Sequence, residues 1–209
     1  MEKIWFTADT HFGHRNVLKH CPGRSEFGGY DIDDVEAHDR WLMDIWNTTV
    51  GKKDTVYIIG DFSFLPKEGV RKLLCKLNGN KNLIIGNHDA SSLHQEGYLK
   101  MIQHIYARVF KKKVFPFLEE DLQVFMCHYP MITWSSKHFG CVELHGHCHG
   151  RLDDYNDAST DLRVDVGIDG RLAKYGLVDL ETVYAFFKEK TGGKLFVDHA
   201  IEHKAITDG

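Results

Sequence analysis

The sequence predicts an α/β fold, on three observations. Apolar runs of strand length recur along the chain, amphipathic segments of helical period separate the first of them, and each run closes on a polar cluster. The strand–helix–strand–helix–strand order of the first half points to a sheet with parallel pairing there.

The first run, residues 4–8, leads into Asp9-Thr10-His11. Residues 33–50 carry Val35, Trp41, Leu42, Ile45 and Trp46 at helical spacing, and Thr55–Ile59 is the second strand, ending on Gly60-Asp61. Residues 67–77 form another amphipathic helix closed by the turn Asn78-Gly79-Asn80. The third strand, 82–85, runs into Gly86-Asn87-His88-Asp89. In the second half, 108–117 reads as a strand, Leu122–Cys127 ends at His128, 142–144 precedes Gly146-His147-Cys148-His149, and 162–168 alternates as a strand does. The acidic, polar stretch 153–160 reads as a surface loop. Asp179 is the expected N-cap of a late helix reaching Lys190, with Val183 and Phe186 or Phe187 facing inward and Gly192-Gly193 as its stop. Residues 194–197 return as a strand. Residues 15–31, 90–103 and 134–140 read as loops that shape the surroundings of the polar clusters.

The length of 209 residues favours one domain, and a hydrophobic fraction of 43% supplies a real core. A net charge of −4 gives no general attraction to nucleic-acid backbones or acidic membranes, and the run Lys111-Lys112-Lys113 is read as a solvated face. No segment has the length of a secretory h-region or a membrane span, and five cysteines without C-x-x-C spacing fit reduced thiols, so a cytoplasmic protein is expected. Nothing in the sequence sets the oligomeric state.

Histidine is the unusual component, at 14 residues, many beside Asp, Asn or Gly where strands end. Binding residues of open α/β sheets collect at those ends. Two divalent cations among Asp9, His11, Asp61, Asn87, His128, His147 and His149 meet only two carboxylates, so the centre stays net positive and attracts a phosphate anion. Mixed nitrogen and oxygen donors favour Mn, Fe, Ni or Zn over Mg or Ca. Two such ions about 3.5–4 Å apart lower the pKa of a shared water and stabilise in-line displacement at phosphorus. Gly60 and Gly86, each just before a ligand, allow close backbone approach.

The ordered set D-x-H, G-D, G-N-H-D, H and G-H-x-H resembles the calcineurin-like metallophosphoesterase superfamily. The phrases Ala8-Asp9-Thr10-His11-Phe12-Gly13-His14, Gly60-Asp61-Phe62-Ser63, His128-Tyr129-Pro130-Met131 and Asp165-Val166-Gly167-Ile168-Asp169 are similar to its small single-domain bacterial and phage members. The resemblance implies a four-layer α-β-β-α sandwich and two divalent ions, manganese favoured. It implies that Asp9, His11 and His149 hold one ion and Asn87, His128 and His147 the other, with Asp61 bridging. His88 would protonate the leaving oxygen or stabilise the transferring group, and Asp89 would orient or charge-balance His88. The chain departs from the family at Asp165, where relatives commonly show Asn, and around Leu177, where a proline is often seen.

The expected activity is hydrolysis of a phosphate mono- or diester by a metal-bridging hydroxide. Its substrate is a small phosphorylated molecule, a nucleotide among the options, with no sign of duplex nucleic-acid or membrane binding. A nuclease and a non-catalytic scaffold on the same fold are the alternatives. His14 reaches the substrate phosphate, supports a ligand carboxylate, or is a plain structural histidine. Arg15 and Arg24 are phosphate-contact candidates. Adjacent side chains of an extended segment point to opposite faces, so Cys127 and Cys148 should turn away from the metals; His145 shares the parity of His147 and either faces the site or, the favoured reading, packs or hydrogen-bonds nearby. Trp41, Trp46, Phe62, Phe64 and Trp134 are assigned to the core.

Overall fold

In the computed structural model of the protein, residues 2–89, 97–193 and 195 are described. The chain runs β1 (Ile4–Thr7), α1 (Arg15–His20), α2 (Gly23–Gly28), α3 (Val35–Thr49), β2 (Thr55–Ile59), α4 (Lys67–Lys76), β3 (Asn80–Ile84), β4 (Met101–Gln103) and β5 (Ile105–Phe110). It continues through β6 (Leu122–Cys127), β7 (Val142–His145), α5 (Asp153–Ala158), β8 (Arg163–Asp165), β9 (Val178–Asp179) and α6 (Leu180–Lys190). One sheet has the order β4-β3-β2-β1-β9 and the other β5-β6-β7-β8.

The expected parallel pairing is present: β1, β2, β3 and β4 run parallel, with Phe6 opposite Tyr57 and Tyr57 opposite Asn82. The second sheet repeats it in β6, β7 and β8. Alternation along each strand explains the layers. Ile4, Phe6, Tyr57 and Ile59 of the first sheet pack against Val124, Met126, Val142 and Leu144 of the second. The opposite face of the first sheet (Trp5, Val56, Ile58, Leu83) is covered by Leu42 and Trp46 of α3 and Val70, Leu73 and Leu74 of α4. Two sheets thus meet face to face with helices outside, the architecture implied by the family resemblance.

Helix ends follow local chemistry. Asp34 caps α3 by accepting from Ala37 N at 2.8 Å, and Asp179 caps α6 by accepting from Thr182 N at 2.8 Å. Gly192 and Gly193, at φ 65° and 99°, follow α6 in the left-handed region.

Tertiary contacts overrule the sequence pattern in several places. The stretch expected to be a surface loop at 153–160 contains α5, although three of its six residues are Asp. Asp153 accepts from Arg171 N at 2.7 Å, and Asn156 Nδ2 and Oδ1 meet His145 Nε2 (3.0 Å) and Arg163 Nε (2.8 Å). The strand expected over 108–117 is β5, which ends at Phe110. Beyond it Lys112 N turns to Asp121 Oδ1 (2.9 Å), and Val114 N bonds back to Lys111 O. The strand expected over 162–168 is only Arg163–Asp165, and the stretch 15–31 holds two short helices rather than a loop. Of the strand expected over 194–197, only Leu195 lies among the described residues, buried in the inter-sheet core. No helix among the described residues is long and apolar enough to cross a membrane.

A buried carboxyl on β7 gives a testable pH dependence. Glu143 is fully buried; Oε1 accepts from Met131 N at 2.8 Å while Oε2 has no hydrogen-bond partner. Burial lifts its pKa from 4.5 to about 8, against the smaller opposing pull of Met131 N–H and Arg163. The folded state therefore prefers the protonated acid. Its contribution is present in full below pH 4.5 and is lost as pH rises through about 8. Between those limits the loss is on the order of 3–5 kcal/mol. The denaturant midpoint should fall over this interval, and Glu143→Gln should flatten the slope; an unchanged slope would contradict the assignment.

Candidate metal centre

Every parallel strand of the two sheets that the sequence marked with a polar cluster delivers it at one end of the sandwich. Asp9 and His11 follow β1, Asp61 follows β2, Asn87 and His88 follow β3, His128 follows β6, and His147 and His149 follow β7. The sheets are joined there by a parallel bridge between Ala8 and Gly167 and by a hydrogen bond from Ile168 N to Ala8 O (3.1 Å).

The backbone is strained where the side chains converge. Among the described residues, eight non-glycine positions have positive φ, and five are Asp9 (55°), His11 (52°), Asp61 (53°), His147 (69°) and His149 (50°). Each such position costs about 1–3 kcal/mol and persists only where the surroundings over-determine it. The crowding that the glycines were expected to relieve is real: a Cβ on Gly60 would stand 2.6 Å from His128 Cγ, and one on Gly86 would stand 2.5 Å from Asp61 N.

Two groups of donors meet at Asp61. On one side His11 Nε2 lies 3.9 Å from Asp9 Oδ1 and 3.7 Å from Asp61 Oδ2, and His149 Nε2 lies 3.9 Å from Asp9 Oδ1. On the other, His128 Nε2 lies 3.5 Å from Asp61 Oδ2 and 3.1 Å from Asn87 Oδ1, with the His147 ring 5.2 Å from that of His128. Donors bound to one ion at about 2.0–2.2 Å each stand at separations of this order.

The electrostatics call for positive charge. Burial pushes the Asp9 carboxyl up to about 7, and Asp9 Oδ1 has no hydrogen-bond partner. Burial, helped by the Arg24 charge, drives His11 down to about 2; its Nε2 is a second buried orphan, 3.9 Å from the first. Buried polar atoms without partners are rare and costly, and a cation between them satisfies both. Asp61 is held down to about 2: burial opposes this, but the His128 contact and charge and the His88 N–H (2.9 Å) outweigh it. Burial disfavours His128 and His149 cations, yet Asp61 raises the first, and Asp169, Cys21 and Asp9 raise the second to about 10. His128 Nδ1 faces Ile59 O at 2.9 Å, which turns Nε2 toward Asp61. His149 Nδ1 donates to Asp169 Oδ2 at 2.6 Å, which turns its Nε2 toward Asp9. The residues therefore fit divalent cations by donor type, tautomer and charge.

Several expectations are corrected. Arg24 is no phosphate contact: it is fully buried and bonded to Asp169, Thr10 O and Asp9 O. Arg15 is exposed beside Asp31, Asp33 and Asp34. Asp89 does not address His88; its carboxylate accepts from Asp61 N (2.9 Å), Phe62 N (2.8 Å) and Gly86 N (2.8 Å), clamping the β2 loop to the β3 loop. Phe64 leaves the core, 40% exposed, and stacks on His14 at 3.9 Å with His88 at 5.1 Å. His14 Nδ1 lies 3.3 Å from His11 Nδ1, and burial with the His88 charge lowers its pKa. Trp46, Phe62 and Trp134 are buried as expected, and His145 is buried against Asn156.

The residues that sequence reasoning missed are supports. Asp169, seen only as the end of a phrase, orients His149; Cys21 Sγ sits 3.5 Å from the same ring nitrogen. Asp165 accepts from Gly150 N (3.0 Å) and Gly167 N (2.7 Å), one on each oxygen, a task an Asn oxygen and amide cannot share. His38 and Asp39 of α3 continue this scaffold: His38 Nδ1 lies 3.3 Å from Asp39 Oδ1, which accepts Gly13 N at 2.9 Å.

Two sheets face to face, with a cage of Asp, Asn and His at their common end, define a chain built for divalent-cation chemistry. The chain belongs to the calcineurin-like phosphoesterase family, whose model matches residues 2–172. It is 29% identical over 173 residues to the Gene 66 protein of Mycobacterium phage L5, covering 73% of this chain and 80% of that protein. It is 34% identical over 111 residues to an uncharacterized protein of Methanocaldococcus jannaschii, covering 50% of this chain and 59% of that protein. A crystal structure of a protein of unknown function from Aquifex aeolicus shares the fold, with TM-score 0.59 and 20% identity, covering 89% of this chain and 100% of that one. Family membership points to metal-dependent phosphoester hydrolysis.

Proposed function

We propose that the protein hydrolyses a phosphate ester with two divalent cations. Asp9, His11 and His149 would hold one, Asn87, His128 and His147 the other, and Asp61 both. The carrying observation is the meeting of two donor groups at Asp61, the first of which holds the buried, unpartnered Asp9 Oδ1 and His11 Nε2. When bound, the cations supply charge for the phosphoryl oxygens and an acidified water.

The chain's own groups do the rest. Asp9 and Asp61 carry the only two carboxylates of the ligand set, which leaves the centre attractive to an anion. His88 is exposed at the mouth, with its backbone N–H on Asp61 Oδ1 and its ring free to meet a leaving oxygen. Asp89 holds the two loops in register beneath it. His14, packed on Phe64, borders the same mouth. Tyr129, 44% exposed and 4.8 Å from the His147 ring, borders it on the other side. Aromatic surfaces on both flanks support a small substrate with a planar group, such as a nucleotide.

Reconstitution of metal-free protein with Mn, Fe, Ni or Zn, followed by a panel of phosphomono- and diesters, tests the proposal. Hydrolysis should require the added cation, with manganese most effective. Turnover that survives exhaustive chelation would refute it.

A further inference from the structure

We infer that Arg24 is a positioning residue for the Asp9–His11–His149 side of the centre. Through Asp169 it fixes which nitrogen of His149 faces the cation, and through two backbone carbonyls it fixes where Asp9 stands. The inference rests on the two-cation reading above.

The guanidinium has no solvent exposure, and each of its five N–H donors has an acceptor. Nε and one terminal nitrogen grip Asp169 Oδ1 (2.8 Å) and Oδ2 (2.5 Å). The remaining three contacts are Asp9 O (2.6 Å), Thr10 O (3.1 Å) and His38 Nε2 (3.3 Å). Asp169 Oδ2, pinned in this fork, is the atom that accepts His149 Nδ1–H at 2.6 Å. One side chain thus ties the loop after β1 to the loop after β8 and to the ligand that follows β7.

A buried ion pair is a weak device for stability, because desolvation offsets its attraction and apolar replacements often do as well. It is a strong device for geometry, since the planar fork admits one arrangement of its partners. Asp9 needs such a restraint: its φ of 55° is a conformation that relaxes unless the neighbours hold it. The bond from Arg24 to Asp9 O is one hold, and the His149 orientation is the second consequence of the same group. His128, on the other side of Asp61, takes its tautomer from Ile59 O and does not depend on Arg24. Loss of Arg24 should therefore be felt unequally by the two cations.

The test uses the whole chain and two variants. Arg24→Lys keeps the charge and discards the fork. Arg24→Met combined with Asp169→Asn removes both buried charges together, so folding does not hinge on an unpaired one. Manganese and zinc are titrated calorimetrically into metal-free protein, and bound metal is counted after dialysis. The wild type should bind two equivalents. Each folded variant should keep one equivalent at wild-type affinity and bind the other about 10–100-fold more weakly. Rings in zinc-loaded protein report the cause: the His149 Nδ1–H resonance in 15N-edited spectra should shift while that of His128 stays in place. If Arg24→Lys does not fold, the double variant decides. Two equivalents at wild-type affinity, or equal weakening of both, would overturn the inference. A wild type that binds fewer than two equivalents would instead remove the reading beneath it.

Discussion

Asp61→Asn should lower hydrolysis by about 1,000-fold, a loss of about 4 kcal/mol of transition-state stabilisation, and should release bound metal at the same time. The substitution preserves shape, and the amide oxygen can still accept His88 N–H, as Asp61 Oδ1 does at 2.9 Å. What it removes is the negative charge at Oδ2, which lies 3.7 Å from His11 Nε2 and 3.5 Å from His128 Nε2. That oxygen lies within reach of both groups of donors, so both should weaken together. Activity and metal content are to be measured on the same preparation, with circular dichroism to verify the fold. Retained hydrolysis with a full complement of metal would remove the shared role from Asp61.

His88→Ala should lower turnover by about 10²–10⁴-fold while leaving metal content unchanged. The two effects separate because His88 touches Asp61 through its backbone N–H, which alanine keeps, while its exposed ring stands 5.8 Å from the His11 ring. If the ring delivers a proton to the leaving oxygen, the loss should grow with the pKa of the leaving alcohol. A series of aryl phosphate esters measures this directly. Equal losses across the series would argue against proton delivery and leave only phosphoryl stabilisation.

The contrast between these residues and their supports explains what the sequence reveals. The ligand clusters were legible because each closes an apolar run, and parallel strands bring their carboxyl ends to one edge. The α3 and α6 helices were legible because an apolar stripe marks the inner face of each, and Asp179 marks the start of α6. Arg24 was misread because its partner Asp169 lies 145 residues away, and no local signal separates a buried guanidinium from a solvated one. Asp89 was misplaced for a related reason. Its carboxylate turns back to three backbone N–H groups, and neighbouring residue types do not reveal that choice. Helix α5 was hidden because its residues favour turns, and the contacts that hold them, Asp153 to Arg171 N and Asn156 between His145 and Arg163, come from outside the segment. Phe64 follows the buried Phe62 at strand-like spacing and still faces the mouth, stacked on His14, a contact the spacing does not reveal.

The most direct measurement is anomalous diffraction from crystals soaked in manganese. The account predicts two peaks about 3.5–4 Å apart, one beside Asp9, His11 and His149, the other beside Asn87, His128 and His147, with the Asp61 carboxylate between them. Absence of both peaks from that cage, or a lone ion held by Cys21, His149 and Asp169, would contradict it.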